Sequence, residues 1–166
     1  MAWDKGFNFR ATSTYVTDGT NETYVLGFNT GGDIYPITRN GVTFGWQTVT
    51  GDSARNRNSA VDRRLAGINF QGNVGANQEF RVDLPATGDY TVNLAVGDES
   101  NAQTHDIRLL DTSTNLFTVA DNVATSAANF LDATGVNRTL ANWPSQNAAK
   151  SLTFSTTIFY VEIGQL

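Results

Sequence analysis

Residues 79–98 read EFRVDLPATGDYTVNLAVGD. Phe80, Val82 and Leu84 alternate with Glu79, Arg81 and Asp83, and a few residues on Tyr90, Val92, Leu94 and Val96 share one parity. A two-residue repeat is that of a strand with one dry face and one wet face, whereas an amphipathic helix needs apolar residues three and four apart. Pro85 ends the first run because it has no N–H for a ladder. Pro85 to Gly88 then supplies turn chemistry. The pattern predicts two strands joined as a β-hairpin.

The same repeat recurs along the chain. GVTFGW places Val42, Phe44 and Trp46 on one face, and LAGINFQ carries Leu65, Ile68 and Phe70. HDIRLLDT, LFTVADN, SLTFS and the closing TIFYVEIG are further strands, and FNFR at residues 7–10 is a short edge strand. Many short strands between Gly, Asn and Asp turns predict an all-β fold, an antiparallel β-sandwich of jelly-roll type. Its expected core is Phe44, Trp46, Leu65, Ile68, Phe70, Phe80, Val82, Leu84, Tyr90, Val92, Leu94, Val96, Ile107, Leu109, Phe154, Phe159 and Val161. TSAANFLDA (125–133) and SQNAAKSL (145–152) have only enough helical character for a turn or two, too short to be stable alone. The 166 residues suit a single domain, residues 1–166. Three long loops are expected on it, at 17–41, 47–64 and 134–150, where binding usually sits.

Composition removes several functions. There is no cysteine, so disulfides, thiolate metal sites and cysteine nucleophiles are excluded together. The net charge of −5 repels nucleic acid. No apolar run is long enough to span a membrane as a helix, and the first residues carry no secretory signal pattern. Without such a signal, the formal glycosylation sequons at Asn21 and Asn137 are read as chance matches.

FNFR, then GVTFGW, then a loop with Arg and Asp, then FRVDLPATGDYTVNLAVGD, and finally FYVEIG occur in an order that resembles the galactose-binding-like jelly-roll domains found beside polysaccharide esterases and lyases. The resemblance runs from about residue 7 to 164. FNFR lacks the Gly common in such modules, and Thr43-Phe44 stands where they often have Tyr-Gly. The resemblance implies a non-catalytic module. Many of its members bind sugars, some hold a structural calcium, and others serve assembly.

Gly51-Asp52-Ser53 has the outline of the nucleophile block of GDSL-type esterases, but a serine nucleophile needs an oriented histidine. The sole histidine, His105, has Ala102 where that pattern wants Asp. One histidine is also too few for zinc. Calcium takes carboxylates, and Asp98, Glu99, Asp106 and Glu162 are at hand, although no Asp-x-Asp-x-Asp-Gly loop is present. GFNTGGD has glycines but no Gly-Lys-Ser/Thr. Glycoside hydrolysis needs two carboxylates at a set spacing, which leaves a small glycan-active hydrolase as the remote alternative. Sugar binding needs a flat aromatic ring and planar polar groups. The candidates are Trp143, in the exposed-looking loop LANWPS and favoured to pack under that loop rather than to touch a ligand, with Arg55, Arg57, Asn58, Asn101 and Gln103. No catalytic, cofactor or metal residue is assigned.

DSARNRNSAVDRRLAG, residues 52–67, concentrates Arg55, Arg57, Arg63 and Arg64. Asp52 and Asp62 flank them, which argues against a nucleic-acid patch. The favoured role is to fork onto Asp52, Asp62 or Asp98 and pin the loop, with ligand contact second. A Met-initiated, cysteine-free sandwich without a secretory signal suits a bacteriophage accessory, a capsid-decoration or head-fibre protein. Such a protein is made in the host cytoplasm and carried on the virion surface. Its partners would be a capsid lattice or copies of itself, and glycans. The alternative is an extracellular carbohydrate-binding module, free or attached to an enzyme.

Overall fold

A computed structural model of the chain describes residues 3–11, 22–27, 32–47, 52–57, 65, 67–71 and 77–164. In chain order the elements are β1 (Gly6–Arg10), β2 (Glu22–Leu26), β3 (Ile37–Arg39), β4 (Val42–Trp46), β5 (Asp52–Asn56), β6 (Gly67–Gln71), β7 (Gln78–Asp83) and β8 (Gly88–Val92). They continue as β9 (Val96–Asp98), β10 (Gln103–Asp111), β11 (Thr114–Thr125), β12 (Asn129–Leu131), β13 (Asn137–Thr139), α1 (Trp143–Gln146), β14 (Lys150–Phe154) and β15 (Ile158–Ile163). The fold is all-β, a β-sandwich as the alternation predicts.

One layer is a six-stranded antiparallel sheet in the order β11-β10-β15-β7-β4-β3. The last strand lies in its middle, with Val161 opposite Phe80 on one side and Leu109 on the other. That register puts Phe44, Trp46, Phe80, Val82, Leu109, Phe159 and Val161 on one face. Across from them pack Tyr90 and Val92 of β8, Leu131 of β12 and Leu152 and Phe154 of β14. β8 pairs with β14, and β9 pairs with β12, which pairs with β13. Nearer the N-terminus, β1 and β2 form a parallel pair, and Phe7 and Phe9 meet Phe80 edge-to-face at 5.4 and 5.0 Å. Trp3 touches the two larger apolar clusters. Phe44, Phe80 and Phe154 are fully buried, each contributing about 1.5–3 kcal/mol through area removed from water.

The expected hairpin at residues 79–98 does not form. Both edges of β7 are taken, by β4 and β15, so β8 cannot join it and pairs with β14 instead. Pro85 to Gly88 therefore carries the chain from one layer to the other. Ser155 to Thr157 makes the same crossing between β14 and β15, and the two corners are tied by Leu84 N–H donating to Thr157 O at 2.9 Å. Asp111, only 4% exposed, caps the second corner by accepting from Ser155 N and Oγ at 2.7 and 2.6 Å, and from Thr156.

Other expectations shift in the same way. TSAANFLDA holds no helix; Asn129–Leu131 becomes β12 because β9 and β13 claim its two edges and Phe130 and Leu131 are buried. The sole helix among the described residues is one turn, α1, opened by Pro144 near its first position. The loops are less open than composition suggests, since β2 and β3 lie within 17–41, β5 within 47–64, and β13 and α1 within 134–150. Of the expected core, Tyr90, Val92, Leu94, Val96, Phe159 and Val161 are only partly buried, and the Phe70 side chain lies outside the described residues. Val25, Val119, Phe130, Leu131, Trp143 and Leu152 are buried without having been expected.

Candidate functional site

Two regions concentrate polar chemistry. The first lies where β5 and β9 end and β10 begins. Asp98 closes β9 with 1% exposure. Arg57, just past β5, forks onto it: Nε donates to Oδ1 and Nη2 to Oδ2, both at 2.7 Å. Ser100 N–H donates to Oδ1 at 2.9 Å and Asn101 Nδ2 to Oδ2 at 3.0 Å. Burial alone pushes this carboxyl up, but Arg57, the Ser100 amide and Asn101 together outweigh it and hold it at about 2. The bond to Asp98 in turn raises the Arg57 guanidinium. Arg57 and Asn101 are thus brought together on one carboxylate, 41 and three residues away in sequence.

The remaining sequence candidates are placed differently. Trp143 is not exposed: at 4% exposure its ring meets Phe130 edge-to-face at 5.9 Å and packs with Leu65. The single turn of α1 folds the indole under its own loop, the packing role favoured over ligand contact. Arg55 is exposed on β5, and Gln103 is half-buried at the start of β10 opposite Thr125. Asn58, Arg63 and Arg64 lie outside the described residues, as do Asp62 and the side chains of Asp52 and Ser53. His105 is buried with Nε2 2.8 Å from Thr125 Oγ1, and burial pushes its pKa down. Among the described residues no three acidic or histidine side chains converge to hold a metal.

Asp132 and Asp33 repeat the Asp98 arrangement. Asp132, fully buried, accepts from Thr134 N and Oγ1, Arg138 Nε and Ala148 N. Asp33 accepts from Leu26 N at 2.8 Å and from both terminal nitrogens of Arg39, whose guanidinium lies 4.1 Å from the Tyr24 ring centre. A buried carboxylate without such partners would cost several kcal/mol.

The second region is the outer face of the six-stranded sheet. The inward register leaves Glu79, Arg81 and Asp83 of β7 and Tyr160 and Glu162 of β15 on the opposite face, with Tyr160 between Arg81 and the buried Leu110, and the buried Glu162 opposite Glu79. Arg81 also faces Gly45 on β4. A Cβ on Gly45 would stand 2.5 Å from Tyr35 N, so the missing side chain is what lets residues 34 and 35 lie against β4. The Tyr35 ring then covers the Arg81 guanidinium at 4.2 Å. Asp83 locks the pair, accepting from Tyr35 Oη at 3.0 Å and Arg81 Nε at 2.7 Å. Burial and then that bond push the Tyr35 phenol up. On the other side Arg108 Nη2 lies 2.8 Å from Glu162 Oε1, outside hydrogen-bond geometry. Burial and the neighbouring Glu162 push the Glu79 carboxyl up. In the sequence Glu79, Arg81 and Asp83 show only as the wet face of a strand. The one available signal was that charged and aromatic residues share the outward parity of both EFRVD and IFYVE.

Comparison with known protein families, curated proteins and solved structures found no match to this chain. Among the described residues no helix is long and apolar enough to cross a membrane.

Proposed function

We propose that this chain is a non-catalytic β-sandwich module for binding and assembly, of the galactose-binding-like jelly-roll kind, carried on a virion surface as a capsid-decoration or head-fibre accessory. The observation that supports it is the state of four buried aspartates. Asp33, Asp98, Asp111 and Asp132 are each consumed by guanidinium, hydroxyl or backbone donors that hold loops and corners. A general base works best with a pKa near the working pH, and a carboxyl held at about 2 is far from that. His105 is likewise committed to Thr125. Such groups make a stiff frame for display. A chain with only two lysines and abundant Asn, Thr and Gly agrees with that setting.

Docking of the purified protein on capsid lattices encoded beside its gene, with its oligomeric state measured by light scattering, tests the proposal. Stoichiometric docking is expected. Turnover of an acetyl-ester or pectin substrate would sink it. The outer face of the six-stranded sheet favours a second reading, a carbohydrate-binding module working free or beside an enzyme, because it offers aromatic rings next to fixed polar groups.

A further inference from the structure

We infer that the outer face of the six-stranded sheet is a saccharide-binding site, built around Tyr160 and Arg81 and selective for neutral glycans with vicinal hydroxyls. This rests on reading the chain as a binding module and says where and what it binds. Tyr35 and Tyr160 are half-buried on the polar side of the sheet and belong to none of the apolar clusters. Tyr160 stands between the buried Leu110 and the half-buried Arg81, and half-buried aromatic rings beside polar groups are a usual platform for the C–H side of a sugar. Arg81 is already fixed: one face is covered by Tyr35, and Nε is committed to Asp83. Among the described residues neither its terminal nitrogens Nη1 and Nη2 nor the Tyr160 hydroxyl has a hydrogen-bond partner. Tyr160 is the direct cross-strand neighbour of Arg81, so their side chains start about 5 Å apart. A flat donor fork, a phenol and a carboxylate from Glu79 one pair further along form a ready set for two adjacent hydroxyls. Because Arg81 is held before binding, little ordering entropy remains to oppose it.

Charge selects among sugars. Asp83, Glu79 and Glu162 outnumber Arg81 and Arg108 on this face, and the whole chain is at −5. Uronic and sulfated polymers are therefore repelled, as are phosphates.

A glycan array followed by calorimetric titration of the best neutral oligosaccharide tests the site. Tyr160→Ala and Arg81→Lys are expected to weaken binding at least tenfold, Tyr160→Phe less, and Asn101→Ala at the loop end less than twofold. Polygalacturonate is expected to bind at least tenfold more weakly than the neutral ligand. Near-ultraviolet circular dichroism confirms that each variant is folded. If Asn101→Ala abolishes binding and Tyr160→Ala does not, the sheet-face site is wrong while the binding module stands. If the wild-type protein binds no neutral glycan, the inference is overturned, and capsid docking decides separately whether the assembly role survives.

Discussion

Replacing Arg57 with alanine removes the fork that neutralises Asp98. The carboxylate is 1% exposed and would keep only Ser100 N–H and Asn101 Nδ2. Its folded-state pKa of about 2, against an ordinary 3.8, corresponds to roughly 2.4 kcal/mol at 1.36 kcal/mol per unit. Solvent reaches the rim of the pair through Arg57, so about 1–2 kcal/mol is the better figure. Stranding a buried charge adds to this, and the expected loss for Arg57→Ala is about 2–3 kcal/mol at pH 7. For a chain of this length that lowers Tm by about 5–10 °C. Because the folded pKa lies below the unfolded one, the stabilisation is complete above pH 3.8 and fades as pH falls through about 2. Urea unfolding of wild type and Arg57→Ala at pH 7, 4 and 2.5 measures both quantities. Equal stabilities at pH 7, or a gap that stays constant down to pH 2.5, would refute the clamp. Arg57→Lys, which keeps charge but not the fork, is expected to recover less than half the loss.

Three further outcomes follow from particular residues. Gly45→Ala is expected to cost about 3 kcal/mol or more, from its φ of +146° and the collision with the Tyr35 backbone, whereas Gly41→Ala, at φ +71° with nothing within 4 Å, is expected to cost about 1 kcal/mol; paired denaturant curves compare them. Trp143→Ala should lose about 3–5 kcal/mol, as deletion of a buried aromatic does, yet leave the affinity of folded protein for a neutral glycan unchanged. Glu79→Gln should stabilise the protein at pH 7 by about 0.2–1 kcal/mol, since like charges stand directly opposite across β7 and β15. The Glu79 pKa is raised above its ordinary 4.5, so the wild-type penalty grows as pH rises past 4.5 and the benefit of Gln should vanish below it.

Alternation in EFRVD, GVTFGW and IFYVE was enough to read an all-β sandwich and most of its dry faces, because a strand's period is a local steric fact. Partnership was not local. The same alternation suggested that β7 and β8 pair, and they do not, since β15, arriving some 70 residues later, takes the edge that β8 would have used. TSAANFLDA had weak helical character, overridden once β9 and β13 offered ladders on both sides. Trp143 packs under its loop as favoured, but that Phe130 and Leu65 are what bury it depends on the fold. Arginine in residues 52–67 was read as a pin, and Asp98 as one of its three targets; only the fold brings Arg57 within 2.7 Å of that one. The outer face was least legible, because Tyr160 beside Arg81 and Glu162 beside Glu79 depend on the register of strands far apart in the chain. The sequence by itself determined which side of each strand is dry, through the chemistry of successive side chains. The tertiary structure decided which strands are neighbours, and with that which polar groups meet, because each backbone edge can be satisfied only once and the whole chain competes for it.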